Sequence, residues 1–369
     1  MKKRYVTNSP GLTPDLLSLH KNNDAIDYKS DKNSFFSFPC ARHALYYAVE
    51  ALGLKQGSEI LLPSFVCNTV IPPLKRRNLK LSFIDMTKDG KVKWSHAEGL
   101  ISDKTAGILW HHYLGNSDGV EEAKSFALKH GLKFIEDCAH ALFSYAGKKE
   151  VGSFGDAAIF SIRKTIPVTY AALLKINNDK IKRKINVNVV DLDSAYSLHL
   201  QKTEIYHIRN YYQSISPDKE IMRNSFMDHL KEAGRFHKEP DVVFPIDELS
   251  KTVIQNADGV RIRSVRTEIY SLYEKKLKKS ALFNTLRKGS CPLAFPIVVK
   301  RGRDALQKRL EKEGIETARY WPKAMLPDGV VKEFRNARWL ADHILTLPCH
   351  QTMSAADAEY VCRTVNRLL

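Results

Sequence analysis

One segment, IEDCAHALFSYAGKKEVGSFGDAAIFSIRK (135–164), gathers carboxylate, imidazole, hydroxyl and amine side chains. LKFIED (132–137) reads as a short buried strand that ends at Asp137. In open α/β sheets, ligands sit beyond the carboxyl ends of the strands. Asp137 is therefore a carboxylate aimed at a pocket, and His140, three residues on, reaches the same ligand. Gly147, Gly152 and Gly155 punctuate a hairpin-like turn region. DAAIFSI (156–162) is a further strand, with Ser161 at its end and Lys164 just beyond.

A lysine at the carboxyl edge of a sheet can form a Schiff base with an aldehyde. A carboxylate opposite it can keep a pyridine nitrogen protonated, which turns pyridoxal phosphate (PLP) into an electron sink for a carbanion. The phosphate of such a group takes amide donors at a helix N-terminus. The helix beginning near Ala41 supplies these, and Ser161 supplies a hydroxyl.

The elements that must position these groups alternate. Ala44, Leu45, Ala48, Val49 and Leu52 fall at helical spacing, and EILLP (59–63) reads as a buried strand. LKLSFID (79–85) and AGILWHHY (106–113) are strand-like, whereas 94–101 and 120–130 are helical. Near-continuous apolar strands separated by helices predict a parallel sheet covered on both faces. Residues 177–240 are polar and basic without a steady period. A long helix is expected over 249–280, with Gly259 as a potential break. A second unit follows: a strand at 291–299, an amphipathic helix at 304–314, a strand end at 346–350 and a terminal helix at 354–369. Ser354 is a plausible N-cap with Asp357 at N3.

The string EDCAHAL…GKKEVGSFGDAAIFSIRK resembles the DegT/StrS-type family of PLP-dependent sugar aminotransferases, in which an EDxAH or EDxAQ strand end precedes VGSxGD and the PLP lysine. PCARHALYYAVEALGLKQGSEILLPSFVCNT (39–69), HHYLGN (111–116) and LTLPCHQTMSAADAEYV (345–361) are similar to its other segments, in order. The resemblance covers about 36–176 and 244–369 and implies an α/β fold type I transferase. That means a large, mostly parallel PLP-binding domain (36–243, including an insertion or excursion at 177–243), after an arm at 1–35. A smaller C-terminal α+β domain (244–369) contains the linking helix.

The resemblance also implies a homodimer with shared active sites and amino transfer, usually from glutamate, to a nucleotide-linked ketosugar. Lys164 would carry the cofactor and shuttle a proton. Asp137 would pair with the pyridinium, and His140 would lie near the ring's 3-hydroxyl. Ala139 would pack on the ring, and Ser161 would contact the phosphate.

Departures from the family pattern are visible. The phosphate cup reads Ala41-Arg42 where the family has Gly-Thr, and an arginine offers paired donors to phosphate instead. Cys67 stands where an aromatic often covers the ring, with Phe65 two residues earlier. Lys164 lies three positions after Ser161, where many members have five; Lys175, the next lysine, is expected to face solvent. Ala171-Ala172 replaces the usual glycines, and the asparagine that members often lend to the partner's phosphate has no match near 245–250. His111 and His112 read as structural or pocket-lining residues, and Tyr320 and Trp321 as core, with stacking on a base or sugar as the alternative.

The 369 residues are 43% hydrophobic and 27% charged, which excludes disordered and collagenous classes. No uncharged apolar run approaches a membrane span, and without an apolar stretch after the basic N-terminus a secretory signal is not expected. The six cysteines are scattered without metal-ligand spacing, which reads as reduced thiols in a cytoplasmic protein. The net charge of +17 has no nucleic-acid recognition motif beside it. It fits a solvated basic face or an electrostatic funnel for a nucleotide diphosphate. Two other readings stay open: a PLP- or pyridoxamine-phosphate-dependent sugar dehydratase, which relatives achieve by replacing the lysine, and a degenerate binding or regulatory homologue.

Overall fold

The computed structural model describes residues 4–18, 35–177, 187, 189, 240–283 and 285–369. The basic stretch expected at 177–243 lies almost wholly outside the described residues, as does much of the 1–35 arm.

Its centre is a seven-stranded sheet. The strands in chain order are β1 (Phe35–Phe38), β2 (Glu59–Pro63), β3 (Lys80–Ile84), β4 (Thr105–His111), β5 (Lys133–Asp137), β8 (Ala157–Ser161) and β9 (Ala172–Ile176). A hairpin of β6 (Tyr145–Ala146) and β7 (Lys149–Glu150) stands apart. Across the sheet the order is β1-β9-β8-β5-β4-β2-β3. The run from β3 to β8 is parallel, and β9 and β1 add antiparallel pairings at one edge.

The helices are α1 (Ala41–Ala51), α2 (Ile71–Arg76), α3 (Trp94–Glu98), α4 (Val120–Lys129), α5 (Glu248–Asn256) and α6 (Gly259–Leu277). The expected long helix over 249–280 is thus two. The break falls at Ala257-Asp258, and the Asp258 carboxylate accepts the Arg261 N–H at 2.8 Å. Gly259 begins the second helix rather than interrupting the first.

Each strand of this sheet sends alternate residues to opposite faces, and each face has its own core. Leu109, Ile135, Ala157 and Ile159 join the core beneath α1, with Leu45, Ala48 and Val49. Ile108, Trp110, Phe134, Ala158 and Phe160 join the core beneath α4, with Ala123 and Phe126. This is the doubly covered parallel sheet that the apolar strands predict.

A second, two-stranded antiparallel sheet pairs β10 (Ala294–Val298) with β11 (Ile344–Pro348). Around it lie α7 (Arg303–Lys312), α8 (Val330–Glu333), α9 (Arg335–His343) and α10 (Ala355–Leu368). Ser354 caps α10 in a reciprocal capping box with Asp357, as its sequence predicts. Residues 4–18 are docked. Val6 bridges Ile315 and joins the core of the second sheet, while Leu12 and Leu16 join that of the large one.

The two sheets are tied by one guanidinium. Arg266 on α6 is 1% exposed. It donates to the carbonyls of Pro292 (3.0 Å), Cys349 (3.0 Å) and Thr165 (3.2 Å), and to Gln351 Oε1 (2.9 Å). Thr165 directly follows Lys164, and its carbonyl also accepts from Gln351 Nε2 at 2.9 Å. Arg266→Met should cost about 3 kcal/mol or more, because several buried carbonyls lose their donor at once. Urea unfolding monitored by circular dichroism checks this, and an unchanged midpoint would contradict it.

Candidate active site

Pleat alternation decides which side chains meet. Adjacent parallel strands place His111 beside Asp137 and Trp110 beside Glu136. Asp137, His111 and Ser161 are odd-numbered positions, as are Ile135, Leu109 and Ile159. All three therefore end their strands on the α1 face. Glu136 and His112 end on the α4 face.

On that second face Glu136 is fully buried and fully occupied. Its carboxylate accepts N–H groups from Phe154 (2.6 Å), Gly155 (2.7 Å) and Gly152 (2.9 Å), and Oε2 lies 3.0 Å from His112 Nε2. Gly152 has φ +92°, and a Cβ on Gly155 would fall 2.6 Å from the Phe134 carbonyl. These glycines are the price of bringing the turn's amides onto one carboxylate. Glu136, which sequence reasoning passes over, is thus a structural anchor, and His112 is its partner.

On the α1 face, Asp137 is 3% exposed. Its Oδ1 accepts the Ala139 N–H at 3.0 Å, and its Oδ2 lies 3.0 Å from His111 Nδ1. Burial alone would raise its pKa. The charges of His111 and Lys164 and the Ala139 amide outweigh burial and hold it below the usual carboxylate range.

His140 is fully buried. Its Nδ1 accepts the Leu114 N–H at 3.2 Å, which puts the ring proton on Nε2. That Nε2 has no hydrogen-bond partner among the described residues. Burial, reinforced by Lys164 and His111, holds its pKa well below the usual histidine value, so the ring is neutral. A buried donor without an acceptor is costly unless a ligand completes it.

Lys164 closes a single 3₁₀ turn, Ile162–Lys164, at the end of β8. Such a turn brings positions three apart to one side, which accounts for the short Ser161-to-Lys164 spacing. Lys164 keeps some accessible surface, yet burial is the largest influence on its amine and lowers its pKa. Asp137 and Cys67 oppose that shift, and Arg163 reinforces it.

Cys67 is therefore within electrostatic reach of the amine, and its sulfur accepts from Thr69 Oγ1 at 3.1 Å. At the N-terminus of α1, Arg42 and Arg163 both act on Cys40 and Tyr170. Arg163, unmarked in the sequence reading, adds a cation beside the Ala41-Arg42 cup. Lys175 is not solvent-facing: its side chain is 15% exposed and donates to Ser153 Oγ at 3.0 Å. Ala171 and Ala172 are fully buried, and Ala172 pairs with Ser161.

The wall comes from the second sheet's segment. Trp321 is 3% exposed. It stacks on His140 (centroids 5.5 Å apart) and packs against His111 (5.1 Å), Tyr113 (5.3 Å) and Phe65 (5.4 Å). It is core, as its sequence reading has it, and its ring covers the site histidines.

A mostly parallel sheet with a lysine and an acid at neighbouring strand ends is a fold type I aminotransferase architecture. The chain belongs to the DegT/DnrJ/EryC1/StrS aminotransferase family, whose model matches residues 30–215 and 254–366. It is 27% identical over 302 residues to the UDP-4-amino-4,6-dideoxy-N-acetyl-beta-L-altrosamine transaminase of Campylobacter jejuni, spanning 69% of this chain and 78% of that one. Among solved structures it is similar to PseC of Helicobacter pylori, an aminotransferase involved in the biosynthesis of pseudoaminic acid. The TM-score there is 0.70 at 17% identity, covering 99% of both chains. It is also similar to the PLP form of a sugar-aminotransferase-like protein of Streptococcus pneumoniae, with a TM-score of 0.69 at 14% identity, covering 99% of this chain and 100% of that one. The chain is an enzyme of the sugar aminotransferase class, and its cofactor is PLP.

The pKa of Glu136 sets a pH signature. Burial would raise it, but the hydrogen bond and charge of His112 and the Gly155 and Gly152 amides win and lower it. A folded-state pKa below the unfolded one contributes stability above the unfolded value of about 4.3, lost as pH falls through the folded value. Glu136→Gln should therefore be less stable than wild type at neutral pH, with the gap closing as the medium is acidified. Urea midpoints measured across pH check this, and a gap that widens in acid would contradict it.

Proposed function

We propose that this enzyme transfers an amino group from an amino acid, glutamate, to a nucleotide-linked ketosugar, with Lys164 as the residue that carries the cofactor. The observation that supports the reading is that Asp137 and Ser161 end the adjacent parallel strands β5 and β8, with Lys164 in the turn directly after β8. The orphaned His140 Nε2 donor fits a ligand bearing an oxygen acceptor, as the PLP ring does.

Bound there, PLP supplies an electron sink for the carbon that loses its proton. Lys164, its amine made less basic by burial, is available as nucleophile and as the base that moves that proton. Asp137 stays ionised and holds a proton on the ring nitrogen. His140 would donate from Nε2 to the ring's oxygen substituent, and Ala139 would lie against the ring. Ser161, the amides of Ala41 and Arg42, and the Arg42 and Arg163 guanidinium groups would hold the phosphate. Cys67 lines the same space in place of an aromatic. Trp321 and Tyr113 exclude water from the reacting side. A homodimer and a cytoplasmic setting belong to this reading; all six cysteines are free thiols.

Purified protein should show the visible absorption of lysine-bound PLP, and Lys164→Ala should lose it. Asp137→Asn should retain the fold and lose about 10²–10³-fold in turnover, the scale of one preorganised electrostatic contact. Product mass after incubation with glutamate and a panel of nucleotide-linked ketosugars checks the reaction. A Lys164→Ala variant with the band and the turnover intact would overturn the assignment. A deoxygenated sugar lacking a new amine would favour dehydration instead.

A further inference from the structure

A depression of about 490 Å³ opens where the β6–β7 hairpin, α6 and the turn before Cys291 meet. Its lining residues are Tyr145, Gly147, Lys148, Arg263, Lys288 and Gly289, none of which the proposed amino transfer uses. That volume falls within the range of small-ligand sites, about 300–1,000 Å³.

The walls are fixed in place. The Tyr145 N–H donates to the Gly289 carbonyl at 2.8 Å, and the Tyr145 carbonyl accepts from Ser117 Oγ at 2.9 Å. Gly289 has φ +93°, and a Cβ there would fall 3.0 Å from the Tyr145 carbonyl oxygen. Glycine is thus what lets the turn meet the hairpin. Arg287 pins the same turn through paired bonds of 2.6 Å to both oxygens of Glu121. Arg263 donates to the Phe143 carbonyl at 3.1 Å and lies over the Tyr145 ring, 4.7 Å from its centroid.

The charges are one-sided. Arg287 is neutralised by Glu121, but Lys148, Arg263 and Lys288 form no ion pair among the described residues. Lys149, beside Lys148, is pushed below the usual lysine value by burial and then by the Lys124 charge, so cations already crowd this hairpin. Unmatched cations on three separate segments favour a ligand with more than one negative charge. The tyrosine ring in the wall offers a flat apolar face to a planar group.

We propose that this depression is a second ligand site, which binds a nucleoside diphosphate. Lys148 and Lys288 meet the phosphates as point charges, and Arg263 bonds them through the N–H groups that Phe143 does not take. The base lies against the Tyr145 ring. Lys164 and Asp137 take no part, so the inference stands apart from the amino-transfer reading.

Titration calorimetry of the PLP-loaded protein with UDP, GDP and inorganic pyrophosphate measures binding, and lysine acetylation read by mass spectrometry locates it. UDP or GDP should slow acetylation of Lys148 and Lys288 but not of Lys332, an exposed lysine on α8. Lys148→Ala combined with Lys288→Ala should weaken this binding about tenfold or more, the scale of a hydrogen bond to a charged group. Both side chains are exposed, so the double variant should fold and keep the visible band of bound PLP. Tyr145→Leu should weaken UDP and GDP about tenfold and leave pyrophosphate unmoved, the scale of one base stacked on an aromatic ring.

Equal acetylation of Lys148 and Lys288 with and without nucleotide would overturn the proposal, even where calorimetry detects binding, because the ligand would then sit elsewhere. Pyrophosphate that binds as tightly as UDP and GDP would overturn the assignment of a nucleoside. If Tyr145→Leu does not fold, that comparison of nucleotide with pyrophosphate decides the same point.

Discussion

Two consecutive carboxylates at the end of one strand organise this protein, and the pleat of the sheet assigns them opposite tasks. Glu136 projects toward the α4 face and is consumed by three backbone amides and His112. Asp137 projects toward the α1 face, where one backbone amide and an imperfectly aligned imidazole leave it partly uncommitted. A one-residue slip of β5 would exchange them. The saturated Glu136 carboxylate fixes the strand end, so the unsaturated pair Asp137–His111 sits on a rigid support. Such division of labour is what preorganisation of a charged site requires.

The lysine is held from another direction. Its loop hangs from the Thr165 carbonyl, which accepts from both Arg266 and Gln351. Further on, Thr169 Oγ1 donates to Asp247 at 2.8 Å, and the same carboxylate caps α5. Every one of these partners lies in the C-terminal part of the chain. Trp321 arrives from there too and closes the pocket against His140. The large sheet supplies the ends of the strands, while the position of the amine depends on residues a hundred positions away in sequence.

Much of this was legible beforehand, for identifiable reasons. The strands were readable because both faces are apolar, and the family was readable because Asp137, His140, Ser161 and Lys164 lie within one short segment. The Ser354 cap was local and came through intact. What stayed hidden depends on pairing between strands. Nothing in HH (111–112) says which imidazole meets which carboxylate until the register of β4 against β5 is known. Arg163 was hidden by its neighbour, the more conspicuous lysine. Lys175 was misjudged as solvent-facing because the hairpin that gives it Ser153 and Glu150 folds back from an earlier segment. The break at Asp258 was placed one residue late, since a cap aspartate before a glycine looks like a glycine interruption.

The anchorage of Thr165 has a consequence for chimeras. A recombinant that keeps the large sheet and borrows its C-terminal third from a relative would graft the amine's suspension along with the new wall. Arg266, Gln351 and the 165–169 loop must then travel as one module, or the transplant will leave Lys164 displaced from Asp137.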